Sequence, residues 1–211
     1  RQKLAAFAQR TGRRPNVLVF IMDDVGWGDL GAYGGGVAVG APTPHLDRLA
    51  REGVLVEDAV VQVPQTRPSH ASIFTGRYPY EHGIRDNYSP PLDRKVPTLA
   101  TLLKARGYAT AAFIGAYPVA RTSGLNQGFD TYFDDFESSV QRGGKSSGDI
   151  QRRGDLVVDA ALPWIDAAKD QPFFAWLHFY DPHTPYAPPE PYKSEFAGEP
   201  YTGEDVIHLL E

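Results

Sequence analysis

The chain contains no cysteine. That excludes a disulfide framework, a zinc–thiolate site and a thiol nucleophile, and leaves the cellular compartment undecided. Long apolar runs are also missing. No stretch approaches the ~20 apolar residues of a membrane span, and residues 4–8 form too short a run for the core of a secretory signal. Positive charge is not in excess: 21 Lys and Arg stand against 26 Asp and Glu, for a formal net charge of −5. Nothing therefore points to a nucleic-acid-binding surface. The first residue is Arg1 rather than Met, and Arg1, Lys3, Arg10, Arg13 and Arg14 make residues 1–14 a basic leader. A segment upstream of Arg1 is the expectation.

What is present suffices for a core. Of 211 residues, 42% are hydrophobic and 12% aromatic, enough for one compact domain, expected over 15–211. Val17 to Met22 is a continuous, β-branched apolar run, the pattern of a strand buried on both faces. Thr43 and Pro44 offer a helix start and Gly53 a stop, with Leu46, Leu49 and Ala50 on one face between them. Residues 54–61 read as a second strand. Residues 68–75 read as a short helix ended by Gly76, with Pro68 at its first position. Leu99, Leu102 and Leu103 mark another helix, ended by Gly107, and residues 108–116 a strand. Residues 155–169 are helical by period, with Pro163 expected to kink or shorten the helix. The segment 138–154 reads as a mobile polar loop, and 173–180 as the last strand. Strands alternating with helices predict an α/β fold with a largely parallel sheet and helices on both faces.

Three clusters carry chemistry. Asp23 and Asp24 directly follow the first strand, at the edge where parallel sheets bind ligands. Adjacent carboxylates suit a hard divalent cation, and they equally suit an Asx turn with a helix cap. Thr66 and His70 lie around a helix entrance, where free N–H groups and the helix dipole favour an anion. A Thr hydroxyl beside a metal becomes a nucleophile, and a Thr at a helix start is also an ordinary N-cap. His178, Asp181 and His183 close the last strand. Imidazole there serves as metal ligand, oxyanion donor or general acid, or packs in a Pro-rich turn.

Several segments in order resemble the sulfatase family of the alkaline phosphatase superfamily. They are Pro15-Asn16-Val17-Leu18 running into Asp23-Asp24-Val25-Gly26-Trp27-Gly28, Thr43-Pro44-His45-Leu46-Asp47, Thr66-Arg67-Pro68-Ser69-His70 with Thr75-Gly76-Arg77-Tyr78-Pro79, His82-Gly83-Ile84-Arg85-Asp86-Asn87, and Asp181-Pro182-His183-Thr184-Pro185-Tyr186. The resemblance covers roughly Pro15 to Tyr192. It implies Asp23, Asp24 and Thr66 as ligands of a divalent cation (Ca, Mg, Mn or Zn), Thr66 as nucleophile, and His183 in contact with the anionic group or the leaving oxygen, with His178 a weaker candidate; His70, on the same helix start as Thr66, is a further catalytic candidate.

The departures are chemical. Sulfatases carry Cys or Ser, a formylglycine precursor, at the Thr66 position and Arg at the His70 position. Thr cannot form that aldehyde, since oxidising a secondary alcohol gives a ketone, and in this role it resembles the phosphodiesterase branch of the superfamily. The family's Gly-Lys-Trp-His motif aligns with Gly115-Ala116-Tyr117-Pro118, so its Lys and His are missing. Its remaining metal ligands belong to a later segment, and the C-terminal part is expected to be missing from this chain. Two functions follow. One is a metal-dependent hydrolase acting through Thr66 on a small-molecule or glycan sulfate or phosphate ester. The other is an incomplete, non-catalytic domain that binds anions, the C-terminal half or a second chain.

Overall fold

The computed structural model describes residues 2–36, 42–136, 150–184 and 186–195. Two compact units emerge: residues 1–25 with 58–185, and residues 26–57 with 186–211. The first holds the sheet. Its helices are α1 (Gln2–Thr11), α3 (Thr66–Thr75), α4 (Pro79–His82), α5 (Leu99–Lys104) and α6 (Gly154–Ala168), and its strands β1 (Val17–Met22), β2 (Ala109–Phe113), β3 (Thr131–Phe133) and β4 (Phe173–Phe179). The second holds α2 (Pro44–Glu52), α7 (Tyr192–Glu195) and two short 3₁₀ turns. There the Thr43 Oγ1 accepts from the Gly31 N–H at 2.9 Å and donates to Asp47 at 2.9 Å, and the Trp27 and Tyr33 rings lie 5.4 Å apart.

The sheet runs β1-β4-β2-β3, every pair parallel. A parallel pairing needs a crossover, and helices fill both faces. The two-residue period of β4 sorts its side chains. Phe174 and Trp176 meet Ala71 and Phe74 of α3 and Ala100 of α5. Phe173, Ala175 and Leu177 meet Val157 and Ala161 of α6. Trp176 is fully buried and packs 4.5 Å from the Phe74 ring, with Phe129 and Tyr132 alongside. On β1, Val17, Val19 and Ile21 join the α3 face, whereas Leu18 and Phe20 on the other face remain partly exposed.

Several expectations are corrected. Residues 54–61 are not a strand, and Val54, Val56, Val60 and Val61 stand in solvent; β-branched composition favours a strand only where a partner supplies pairing and burial. β3 is a strand that pattern did not reveal, being only three residues long. Helix α3 begins at Thr66, so Pro68 is its third residue. That position tolerates proline because the first N–H groups of a helix lack intrahelical acceptors in any case. Helix α6 runs through Pro163 for 15 residues. Both Pro163 and Asp159, whose carbonyl loses its bond, face solvent, where water satisfies the freed oxygen. The basic leader is largely helical, and Arg13 donates to the Asp170 carbonyl at 2.7 Å. The expected loop at 138–154 lies outside the described residues except for its end, where Gly154 opens α6. Among the described residues no helix is long and apolar enough to cross a membrane.

Removing the Trp176 side chain should cost about 3–5 kcal/mol of unfolding free energy, the range for truncating a large aromatic in a tight core. Leu18→Ala, on the half-exposed face of β1, should cost under about 1 kcal/mol. Chemical denaturation of the two variants checks the difference.

Candidate active site

The register of β1 on β4 pairs Ile21 with His178 and Met22 with Phe179. The Asp23 N–H extends this ladder by one bond, to the Phe179 carbonyl at 2.9 Å. Two-residue alternation therefore puts Asp23 on the same face as Ile21 and His178, the face that α3 covers. Asp23 is 8% exposed and His178 fully buried, with the His178 Nε2 3.6 Å from the Asp23 Oδ2, longer than a hydrogen bond. Asp24 takes a left-handed conformation, φ 59°, and its Oδ2 lies 3.4 Å from the His183 Nε2. Short polar side chains tolerate that conformation better than others. The two adjacent carboxylates thus each face an imidazole of the last strand and its following loop, Asp23 that of His178 and Asp24 that of His183.

Thr66 opens α3 and is 7% exposed. The N-cap is Gln65, whose side chain makes no capping bond to the helix. The Thr66 hydroxyl is therefore not spent on capping, and it lies near enough to Asp23 to help hold that carboxyl below its ordinary range. Burial pushes the Asp23 pKa upward, but the opposing pulls of His178, His70 and Thr66 together outweigh it. The His70 Nδ1 lies 2.6 Å from the Thr66 carbonyl oxygen, so Nδ1 carries the proton and donates. Burial lowers the pKa of this imidazole to about 4, so it is neutral at neutral pH and presents no charge to an anion. Its ring meets His178 edge-on at 4.9 Å.

Four polar atoms in this cluster are buried without a hydrogen-bond partner: the Asp23 Oδ2, the His70 Nε2, and both ring nitrogens of His178. Such atoms are costly to bury unsatisfied. The Asp23 carboxylate, the Thr66 hydroxyl and the Asp24 carboxylate are hard oxygen donors, and the orphaned Asp23 oxygen is the kind that a hard divalent cation satisfies. The residues thus fit such an ion as part of a donor set. Among the described residues, no three or more of His, Cys, Asp and Glu gather into a complete metal cage.

The last strand sorts its candidates by position. His178 lies within β4, not beyond it. The Asp181 Oδ1 accepts from the Gly154 N–H at 3.0 Å, which satisfies the start of α6. His183 stacks on Tyr180 at 4.1 Å, and its Nδ1 donates to the Thr184 carbonyl at 2.6 Å, leaving Nε2 directed at Asp24. Opposite, Gly115 follows β2 and passes the exit of β4 so closely that a Cβ on it would sit 2.5 Å from the His178 carbonyl oxygen. One further pair looks catalytic and is not. Ser72 lies 3.0 Å from the His82 Nε2, but the Ile84 N–H donates to the His82 Nδ1 at 3.1 Å. Nε2 must then carry the proton in the neutral ring, so it cannot take one from Ser72.

Around α3, the polar groups that fix the first turn come from a loop that sequence spacing did not single out for this role. The Asn87 Oδ1 accepts the Arg67 N–H at 2.8 Å, and the Asn87 N–H donates to the Gln65 Oε1 at 3.1 Å. The Arg67 guanidinium donates to the Pro118 carbonyl at 3.1 Å and the Ser89 carbonyl at 2.8 Å.

Comparison with known proteins agrees with the architecture. The steryl-sulfatase of Mus musculus is 44% identical over 109 residues, covering 47% of this chain and 17% of that protein. The arylsulfatase of Klebsiella aerogenes is 28% identical over 221 residues, covering 88% and 47%. The crystal structure of a sulfatase from Pseudoalteromonas sp. superposes with a TM-score of 0.73 at 27% identity, covering 92% of this chain and 49% of that one. The chain thus spans less than half the length of each of these proteins. The family model described as Sulfatase matches residues 15–210. With that match over nearly the whole chain, and a parallel sheet flanked by helices, this chain belongs to the sulfatase family.

Proposed function

We propose that the protein is a metal-dependent ester hydrolase in which Thr66 is the nucleophile. One observation carries this reading: the nearly buried Thr66, its hydroxyl free of capping duty, opens α3 on the sheet face that carries the buried Asp23 and is among the groups that lower the Asp23 pKa. Asp23, Asp24 and Thr66 would hold the divalent cation, which supplies charge neutralisation on the transferring group and a lowered pKa for the hydroxyl.

This chain's own residues do the rest. Asp23, kept ionised, faces the Thr66 hydroxyl and takes up its proton as the oxygen attacks; water later carries that proton away. The Thr66 oxygen then attacks the phosphorus or sulfur of a bound ester, forming the new P–O or S–O bond as the ester oxygen departs. The His183 Nε2, which faces Asp24, stands where it can pass a proton to that leaving oxygen. Water hydrolyses the Thr66 ester and returns the hydroxyl. His70 acts through Thr66, by holding its carbonyl with Nδ1–H. Substrates are small-molecule or glycan sulfate or phosphate esters. Phosphate is favoured, because Thr66 cannot be converted to formylglycine and Ala116 stands where the family has a lysine.

Thr66→Ala in the intact protein should abolish turnover by several powers of ten while changing stability by under about 1 kcal/mol. Steady-state kinetics and a melting curve on the one variant test this, and near-normal turnover would refute the nucleophile assignment. A matched pair of aryl esters should be cleaved faster as the phosphate than as the sulfate; the reverse order would overturn the preference.

His70 gives a pH test. Its folded pKa is about 4, against about 6.5 in an unfolded chain. Between those values the unfolded state binds a proton that the folded state refuses. Stability should thus be full above pH 6.5 and fall as pH drops toward 4, by up to roughly 3 kcal/mol from this residue. Urea unfolding at pH 7 and 4.5, repeated on His70→Gln, should show the slope flattened in the variant.

A further inference from the structure

We propose that Asn87 is a positioning residue for Thr66, capping the first turn of α3 from outside the helix with an uncharged group. This rests on Thr66 being the nucleophile. Helices usually satisfy their first N–H groups from their own N-cap, most often a Ser, Thr, Asp or Asn. Helix α3 does not. Gln65, its N-cap, makes no capping bond. Its first turn is accounted for in another way. The Arg67 N–H goes to the Asn87 Oδ1, 20 residues along the chain, Pro68 has no N–H, and the Ser69 N–H bonds the Gln65 carbonyl at 3.1 Å. Among the described residues, the Thr66 N–H alone in this turn makes no hydrogen bond.

The same asparagine is held in return. Its own N–H bonds the Gln65 side chain, and the Arg67 guanidinium ties the turn to the Ser89 and Pro118 carbonyls. Gln65 and Arg67 flank Thr66 on either side, so these bonds clamp the backbone that carries the hydroxyl. Misplacing a reacting atom by an ångström is enough to cost orders of magnitude in rate.

The choice of amide has an electrostatic consequence. A carboxylate at position 87 would accept the same N–H and would stabilise the helix end better. It would also place a full negative charge within one hydrogen bond of the turn that must receive an anion. An amide supplies the acceptor and leaves the positive end of the dipole uncancelled. Beside this helix start, the Asp23 Oδ2 and the His70 Nε2, both on residues more than nine-tenths buried and both without a partner, are acceptors left open for a cation or a donating ligand.

Asn87→Asp and Asn87→Ala in the intact protein separate these roles. Amide hydrogen exchange at Arg67 should quicken in Asn87→Ala and remain slow in Asn87→Asp. Turnover should drop roughly ten- to hundredfold in Asn87→Ala. Asn87→Asp should melt no lower than the wild type, yet bind inorganic phosphate roughly fivefold more weakly by calorimetry, the size of one charge acting on a helix end. Wild-type phosphate affinity in Asn87→Asp would overturn the electrostatic role of the amide while leaving the Thr66 mechanism standing. Unchanged Arg67 exchange in Asn87→Ala would overturn the clamp. A wild-type protein that neither binds phosphate nor turns over esters would remove the nucleophile assignment and this inference with it.

Discussion

Parallel hydrogen bonds seat β4 between β1 and β2, and that seating sets where every polar group of the site stands. Strand β4 shares six residue pairs with β1 and five with β2, so its alternation is enforced from both sides. One residue of slip would exchange its two faces. Trp176 would leave the α3 core, and His178 would turn away from Asp23. The packing of Trp176 against Phe74 and Phe129 therefore also protects the polar cluster two residues further on.

The chemistry is arranged by burial more than by charge. Asp23 is a nearly buried carboxylate that lacks a hydrogen-bond partner at one oxygen, and beside it lie two imidazoles with unsatisfied nitrogens. Left alone, such a cluster is expensive to bury. The ionised form of Asp23 is retained because neighbouring polar groups outweigh the burial penalty. A hard cation at this point would turn that cost into binding energy, as expected where burial serves a ligand rather than the fold. Where sulfatases carry a charged arginine, His70 offers a neutral ring and a hydrogen bond to the backbone.

Much of this was legible in the sequence, and the legible parts share a cause. Val17 to Met22 and Phe173 to Phe179 read as buried strands because a strand covered on both faces must be apolar throughout. Asp23, Asp24, Thr66 and His183 stood out because chemistry-bearing residues at strand and helix ends are rare enough to notice. What failed to show depended on partners distant in the chain. The run at 54–61 has strand composition and no pairing. The helix start at Thr66 was misjudged because Pro68 suits the first position so well. Asn87 falls inside a segment that resembles the family, but nothing in its neighbours reveals that its acceptor serves a helix 20 residues back. His178 was ranked below His183 for want of the register that turns it toward Asp23.

Gly115 behaves as a spacer. Its backbone runs so near the exit of β4 that a single methyl group would meet the His178 carbonyl at 2.5 Å and the Tyr180 nitrogen at 3.3 Å. Tyr180 is the residue on which His183 stacks, and His183 in turn faces Asp24. The width of a side chain that touches no ligand is thereby passed, through three contacts, to the gap between an imidazole and a carboxylate. The gauge of the site is kept by an atom that is not there.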